Sequence, residues 1–123
     1  MVDPSVQPLV EHRRDGGVEV LIVHSVEVFK TDVVDEIGRE LKHLVETSDA
    51  TQFVLDLESI KFLSSTALGI FISLQRRVVQ KKAELKLAGV REGIRELFAL
   101  TRLDTVFPIY RDVASAIEAF GNR

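Results

Sequence analysis

The 123-residue sequence contains no cysteine and has no long apolar run. Without cysteine the chain has neither a disulfide framework nor a thiolate metal site. Its apolar runs, such as residues 18–23 with a glutamate inside, fall well short of the roughly 20 residues that a membrane span needs. The first residues also lack the basic-then-apolar layout of a secretory signal. We therefore expect a soluble, cytoplasmic protein with no membrane insertion.

An excess of positive charge is absent too, because the formal net charge is −3 at pH 7. Nucleic-acid binding usually requires a clearly basic face, so we expect no nucleic-acid partner.

The sequence also lacks the common catalytic motifs. The pair Gly16-Gly17 is not followed by the lysine and helix of a phosphate-binding loop, and Ser65 does not lie in a G-x-S-x-G string. We expect no catalytic residue, no metal and no cofactor. A small hydrolase that pairs Ser65 with a distant histidine is one alternative, and a structure with no imidazole within hydrogen-bond reach of Ser65 would dismiss it. No two of the three histidines have metal-pair spacing: His12, His24 and His43.

The composition that is present is that of a globular protein, with 46% hydrophobic and 28% charged residues. The length suits one domain over residues 1–123, in which residues 1–5 form a loose lead-in. Asp56 and Glu58 are predicted to cap or solvate a loop, and not to act as paired catalytic carboxylates. A basic cluster near the end of the second predicted helix is interpreted as complementing the helix dipole: Arg76, Arg77, Lys81 and Lys82.

Hydrophobic periodicity predicts an α/β domain with the order β-β-α-β-α-β-α-β-α. The first two strands are expected to form a hairpin across Gly16-Gly17. Right-handed crossovers then predict a mixed, mostly parallel sheet, in which only the first strand is antiparallel, with about four helices. Pro108 in the last strand indicates an edge position. The predicted strands are residues 9–14, 18–23, 53–57, 84–88 and 106–110.

The most informative stretch is the junction between the third strand and the second helix. Three hydroxyl residues, Ser64, Ser65 and Thr66, stand where the helix should begin. One hydroxyl is enough for an N-cap, which is worth roughly 1 kcal/mol. A phosphate on Ser65 or Thr66 would add about −1.5 to −2 charges at a helix N-terminus, which the dipole tolerates. An interface packed over the same place would not tolerate it, so the junction is predicted to be a regulated recognition surface.

The string Phe62-Leu63-Ser64-Ser65-Thr66-Ala67-Leu68-Gly69-Ile70 resembles the corresponding motif of STAS domains, specifically of bacterial anti-sigma factor antagonists. The resemblance covers nearly the whole chain, including residues 54–57, 84–88 and 94–98. It implies a single STAS domain without catalytic activity.

The resemblance further implies that the chain binds an anti-sigma factor that is also a serine kinase of the GHKL type. That kinase would phosphorylate Ser65, or next Thr66, and a PP2C-type phosphatase would reverse the reaction. The unphosphorylated form would hold the anti-sigma factor and free the sigma factor. The resemblance assigns partner binding to seven residues: Glu27, Phe62, Leu63, Ser64, Ser65, Thr66 and Ala67.

The sequence departs from the family pattern at two places. Ser64 replaces the acid that usually precedes the phosphorylated hydroxyl, and Glu27 stands in for the acid before the first helix. The alternative is a STAS domain that works without phosphorylation, as a scaffold or as an accessory subunit in lipid or anion transport. The identity of the cognate partner distinguishes this alternative from the anti-sigma factor antagonist, because only the antagonist predicts a GHKL-type kinase as partner.

Overall fold

A computed structural model describes residues 8–24 and 31–121 of the chain, and its first element is a β-hairpin. Strands β1 (Val10–Asp15) and β2 (Val18–Val23) pair antiparallel, with Asp15 opposite Val18. The two residues between them, Gly16 and Gly17, have φ angles of 57° and 86°. A two-residue turn with both φ angles positive favours glycine, so the predicted hairpin and its turn are confirmed.

Helices and strands alternate after the hairpin. The sheet order is β1-β2-β3-β4-β5, and all pairs after the first are parallel. The predicted fold class, a mixed and mostly parallel α/β sheet in the order β-β-α-β-α-β-α-β-α, is therefore confirmed. No helix in the described ranges is long and apolar enough to cross a membrane. The elements are α1 (Thr31–Thr47), β3 (Gln52–Asp56), α2 (Ser65–Gln80), β4 (Glu84–Ala88), α3 (Glu92–Leu100), a 3-10 turn (Leu103–Thr105), β5 (Ile109–Tyr110) and α4 (Val113–Ala119).

The two faces of the sheet are covered unequally. Strand residues such as Leu21 and Leu55 pack with α1, α2 and α3 in the larger core. On the other face, Val20 and Val54 pack with the short helix α4. Because β2 and β3 are buried on both faces, they read as nearly continuous apolar runs in the sequence.

The last strand is shorter than the sequence predicts, since only Ile109–Tyr110 of residues 106–110 pair with β4. The amide of Phe107 donates to the carbonyl of Leu103 at 2.9 Å, which holds this residue against the 3-10 turn that precedes it. The Phe107 ring is buried, 5.7 Å from the ring centroid of Phe98. The edge position that Pro108 indicated is confirmed, but the aromatic packing shortens the strand.

The basic cluster at the end of α2 also acts on the neighbouring helix. The ammonium group of Lys81 donates to the carbonyls of Val45 and Ser48 at the C-terminal end of α1, at 2.8 Å for Ser48. Arg77 forms an ion pair with Glu46 of α1 at 2.7 Å. Arg77 and Lys81 therefore also join the carboxyl ends of two helices, in addition to the predicted position beside the negative end of their own helix dipole.

Candidate functional site

The candidate site begins where β3 ends and the chain turns toward α2. The side chain of Asp56 accepts a hydrogen bond from the amide of Glu58 at 3.0 Å, which closes a local turn. Leu57 and Ile60 are fully buried and anchor the loop. The loop-capping prediction for Asp56 is confirmed, and the carboxylate orders the backbone.

A second turn supports this loop from the side. Gly89 has a φ of 70°, and a Cβ placed there would lie 3.1 Å from the Cβ of Glu58 and 3.3 Å from Oδ1 of Asp56. Arg91 donates from Nε to the carbonyl of Glu58 at 3.0 Å. Glycine at position 89 therefore permits a close approach that fixes the base of the loop.

Ser64 is the N-cap of α2. Its backbone is extended, with φ −79° and ψ 163°, and its hydroxyl accepts from the amide of Ala67 at 3.1 Å. Ser65 is the first helical residue and is exposed, as is Thr66. The first turn of α2 contains no acidic residue. The cap therefore uses one hydroxyl and leaves the next two on the surface.

The residues around the cap form a surface with one large apolar side chain. Phe62 is 69% exposed, whereas Leu63 is partly buried against the core. Ala67 is only 4% exposed, so it packs beneath the surface and does not itself present area to a partner. Glu27 lies outside the described residues. Of the predicted partner-binding residues, Phe62, Ser65 and Thr66 are thus the accessible ones.

Two of the described histidines lie beside carboxylates of the hairpin strands and not beside these hydroxyls. Nδ1 of His12 lies 3.4 Å from Glu19, and Nε2 of His24 lies 3.3 Å from Glu11, both on the hairpin. No described imidazole is hydrogen-bonded to Ser65, which argues against the hydrolase alternative. Among the same residues, no group of three or more potential ligands could hold a metal ion.

A groove between α1 and α2 opens at Thr66 and was not anticipated from the sequence. Its volume is about 700 Å³, and Gly38 of α1 and Gly69 of α2 are among its lining residues. A glycine inside each of two helical patterns was the available signal, because such glycines often mark a close approach or an open surface.

Comparison with known proteins identifies the family. The STAS domain model matches residues 10–116. The anti-sigma F factor antagonist of Paenibacillus polymyxa is 23% identical over 113 residues, which are 92% of this chain and 93% of that protein.

Two solved structures show the same fold. An anti-sigma factor antagonist from Mycobacterium paratuberculosis has a TM-score of 0.78 and 23% identity, covering 89% of this chain and 91% of that one. The phosphorylated form of the Bacillus cell fate determinant SpoIIAA has a TM-score of 0.67 and 13% identity, covering 90% and 98%. Because the family model extends over most of the chain and the sheet order agrees with it, this chain belongs to the STAS domain family.

Proposed function

We propose that the chain is an anti-sigma factor antagonist that binds an anti-sigma factor with serine kinase activity and is released when Ser65 is phosphorylated. The observation that carries the proposal is the division of roles at the start of α2. Ser64 caps the helix, so Ser65 is exposed and has no structural bond to lose. A modification there can change binding without unfolding the domain.

The energies support a switch of this kind. A phosphate on Ser65 interacts favourably with the helix N-terminus, by roughly 0.3–1 kcal/mol. The same charge buried without a partner in an interface costs roughly 3–5 kcal/mol. Since about 1.4 kcal/mol is tenfold in affinity, phosphorylation is expected to weaken binding by a hundredfold or more.

Phe62 supplies the apolar contact for such an interface. Aromatic side chains are enriched in the cores of protein–protein interfaces, and Phe62 is 69% exposed close in sequence to the exposed hydroxyls. Phe62 and Ser65 lie on opposite sides of the cap residue in sequence, so one partner covering the loop would contact both. We therefore place Phe62 at the centre of the interface and Ser65 within it.

The similarity to proteins named anti-sigma factor antagonists supports the regulatory role, and SpoIIAA is a fold neighbour that exists in a phosphorylated form. By this proposal the kinase belongs to the GHKL type, a PP2C-type phosphatase restores the binding form, and all three act in the cytoplasm. Thr66 is the second candidate for phosphorylation.

Binding to the purified cognate anti-sigma factor tests the proposal. Calorimetric titration should give similar dissociation constants for the wild type and Ser65→Ala, and a value at least about a hundredfold higher for Ser65→Asp. Incubation with the same partner and ATP should place phosphate on Ser65, as read by mass spectrometry. Thr51→Asp is the matched control, because it adds the same charge at an exposed position before the other end of β3.

Equal affinity of Ser65→Asp and the wild type would contradict the switch, as would the absence of phosphate on residues 64–66. If the partner bound the wild type and either of these results was found, the constitutive scaffold function would be favoured. The observation behind this second candidate is Ser64 itself, which replaces the acid usual at that position in the family.

A further inference from the structure

The groove between α1 and α2 follows two helices that run in the same direction. Gly38 of α1 faces Ile70 of α2, and further along Glu46 faces Arg77, so the residue numbers rise together. On α2 the lining residues extend from Thr66 to Gln80, a length of about 21 Å at 1.5 Å per residue. The groove therefore follows most of the length of α2, and at Thr66 it adjoins the surface formed by Phe62, Ser65 and Thr66 (the Ser65 surface).

The floor of the groove is apolar and open. Ile70 is partly exposed between the helices, whereas Leu74 is only 4% exposed, and nothing stands within 4 Å of a Cβ placed on Gly69. At Gly38 a Cβ would come within 3.1 Å of Ile70, so this glycine lets the two helices pack closely at the bottom. Another helix could lie over such a floor and contact the exposed part of Ile70.

The walls of the groove are basic, although the chain as a whole has a net charge of −3. Four cations and one acid line it: Arg39, Lys42, Arg76, Arg77 and Asp35.

Two of the cations are already neutralised on the rim. Arg39 pairs with Glu36 at 2.6 Å, and Arg77 pairs with Glu46. Lys42 and Arg76, by contrast, form no ion pair or hydrogen bond with any described residue. Within the described ranges, each helix thus carries one groove cation that has no ion pair, beside the partly exposed Ile70.

We propose that this groove docks an acidic amphipathic helix of the anti-sigma factor. The apolar face of that helix packs on Ile70 and on the exposed backbone at Gly69, and its carboxylates pair with Lys42 and Arg76. A helix fits better than an extended strand, because both walls are helices and offer no free strand edge. The assignment to the same partner rests on the proposed function, since Thr66 makes the groove continuous with the Ser65 surface.

Charge reversal is the first test, with the purified cognate anti-sigma factor as the probe. The double variant Lys42→Glu/Arg76→Glu should raise the dissociation constant by about tenfold or more. The matched control Arg13→Glu/Arg95→Glu changes the net charge equally, at exposed cations on β1 and α3, and should raise it by less than about twofold. Thermal melts of all variants confirm that they are folded.

Filling the groove without changing its charge is the second test. Gly69→Trp should weaken binding by about tenfold, because an indole over the open floor excludes the docking helix. The matched control is Gly93→Trp, because Gly93 of α3 is exposed, lies outside the groove lining and likewise has nothing within 4 Å of an added Cβ. Its affinity should match the wild type.

Cross-linking identifies the occupant. A photoreactive p-benzoylphenylalanine in place of Ser73, which lines the groove, should cross-link to a segment of the anti-sigma factor with acidic residues on one helical face. A cross-link to a second copy of this chain, or to a basic or extended segment, overturns the proposal.

The outcomes separate the two proposals. If Ser65→Asp releases the partner while the groove variants bind normally, only the groove assignment fails. If the groove variants weaken binding and Ser65→Asp does not, only the switch fails. Absence of binding by the wild type contradicts both.

Discussion

At the residue scale, the side chains of Ser64 and Ser65 face different surroundings although they are neighbours in sequence. The hydroxyl of Ser64 accepts the amide of Ala67, and the side chain of Ser65 is on the surface. The same residue type therefore stabilises the helix at one position and is available for chemistry at the next.

This difference predicts distinct effects on stability. Ser64→Ala should lower the free energy of unfolding by roughly 1 kcal/mol, because an amide in the first turn loses its acceptor. Ser65→Ala should change it by less than about 0.5 kcal/mol, as is usual for exposed positions without such a bond. Chemical denaturation of both variants at pH 7 measures the difference. An equal loss in the two would show that Ser65 shares the capping role.

At the element scale, the parallel helices α1 and α2 are joined at their carboxyl ends. Lys81 extends from the end of α2 to carbonyls that α1 cannot satisfy internally, and its ammonium group lies 5.6 Å from the ring centroid of Phe53. One side chain thus closes a helix end, ties two helices and covers an aromatic ring of the core.

Removal of this donor should weaken the pair of helices. Lys81→Met keeps the apolar stem and deletes the ammonium group, and we expect a loss of about 1–2 kcal/mol in the free energy of unfolding. The matched control is Lys82→Met, at the exposed next residue. Denaturant titration measures the free energy of unfolding of both variants. If it fell equally in the two, the bonds from Lys81 to α1 would not be what stabilises the helix pair.

At the scale of the whole molecule, long-range polar contacts hold the hairpin to the rest of the fold. Arg14 of β1 pairs with Asp49, 35 residues away, and with Glu19, which is almost fully buried on β2. The hydrogen bond from Arg14 holds the pKa of Asp49 below its ordinary value.

A pKa that is lower in the folded state predicts a pH-dependent contribution to stability. Above the ordinary aspartate pKa of about 3.9 this contribution is complete, and it is lost as the pH falls through the lower folded value. The melting temperature of the wild type should therefore exceed that of Asp49→Asn by a constant margin from pH 7 to about 5, and the margin should shrink below about pH 4. The pair is exposed, so the margin is small and should decrease with added salt.

Asp104→Asn is the control for this titration, because Asp104 is exposed and forms no ion pair with another described residue. The difference in melting temperature between the wild type and Asp104→Asn should not show the pH dependence expected for Asp49→Asn. A margin for Asp49→Asn that persisted unchanged to pH 2 would contradict the role of the ion pair.

The sequence predicts features that depend on neighbouring residues better than features that depend on tertiary packing. Features set by neighbours in sequence were predictable, such as the glycine turn of the hairpin and the buried third strand, predicted over residues 53–57 and observed at Gln52–Asp56. The extent of β5 was not, because the burial of Phe107 against Phe98 depends on tertiary packing. The same holds for the bonds of Lys81 to α1. At the site, the sequence indicated the three hydroxyls but left open whether Ser64 or Ser65 would cap the helix.

The helix α2 has its exposed serine at one end and the Lys81 tie at the other, a distance of about 24 Å for its 16 residues. Such a separation lets one end of the molecule diverge while the other keeps its architecture. By the proposed function, duplicated copies of the gene could acquire new binding specificities around Phe62 and Ser65 through single substitutions, without first accumulating compensating stabilisers. Several insulated signalling routes in one cell could arise on this one scaffold.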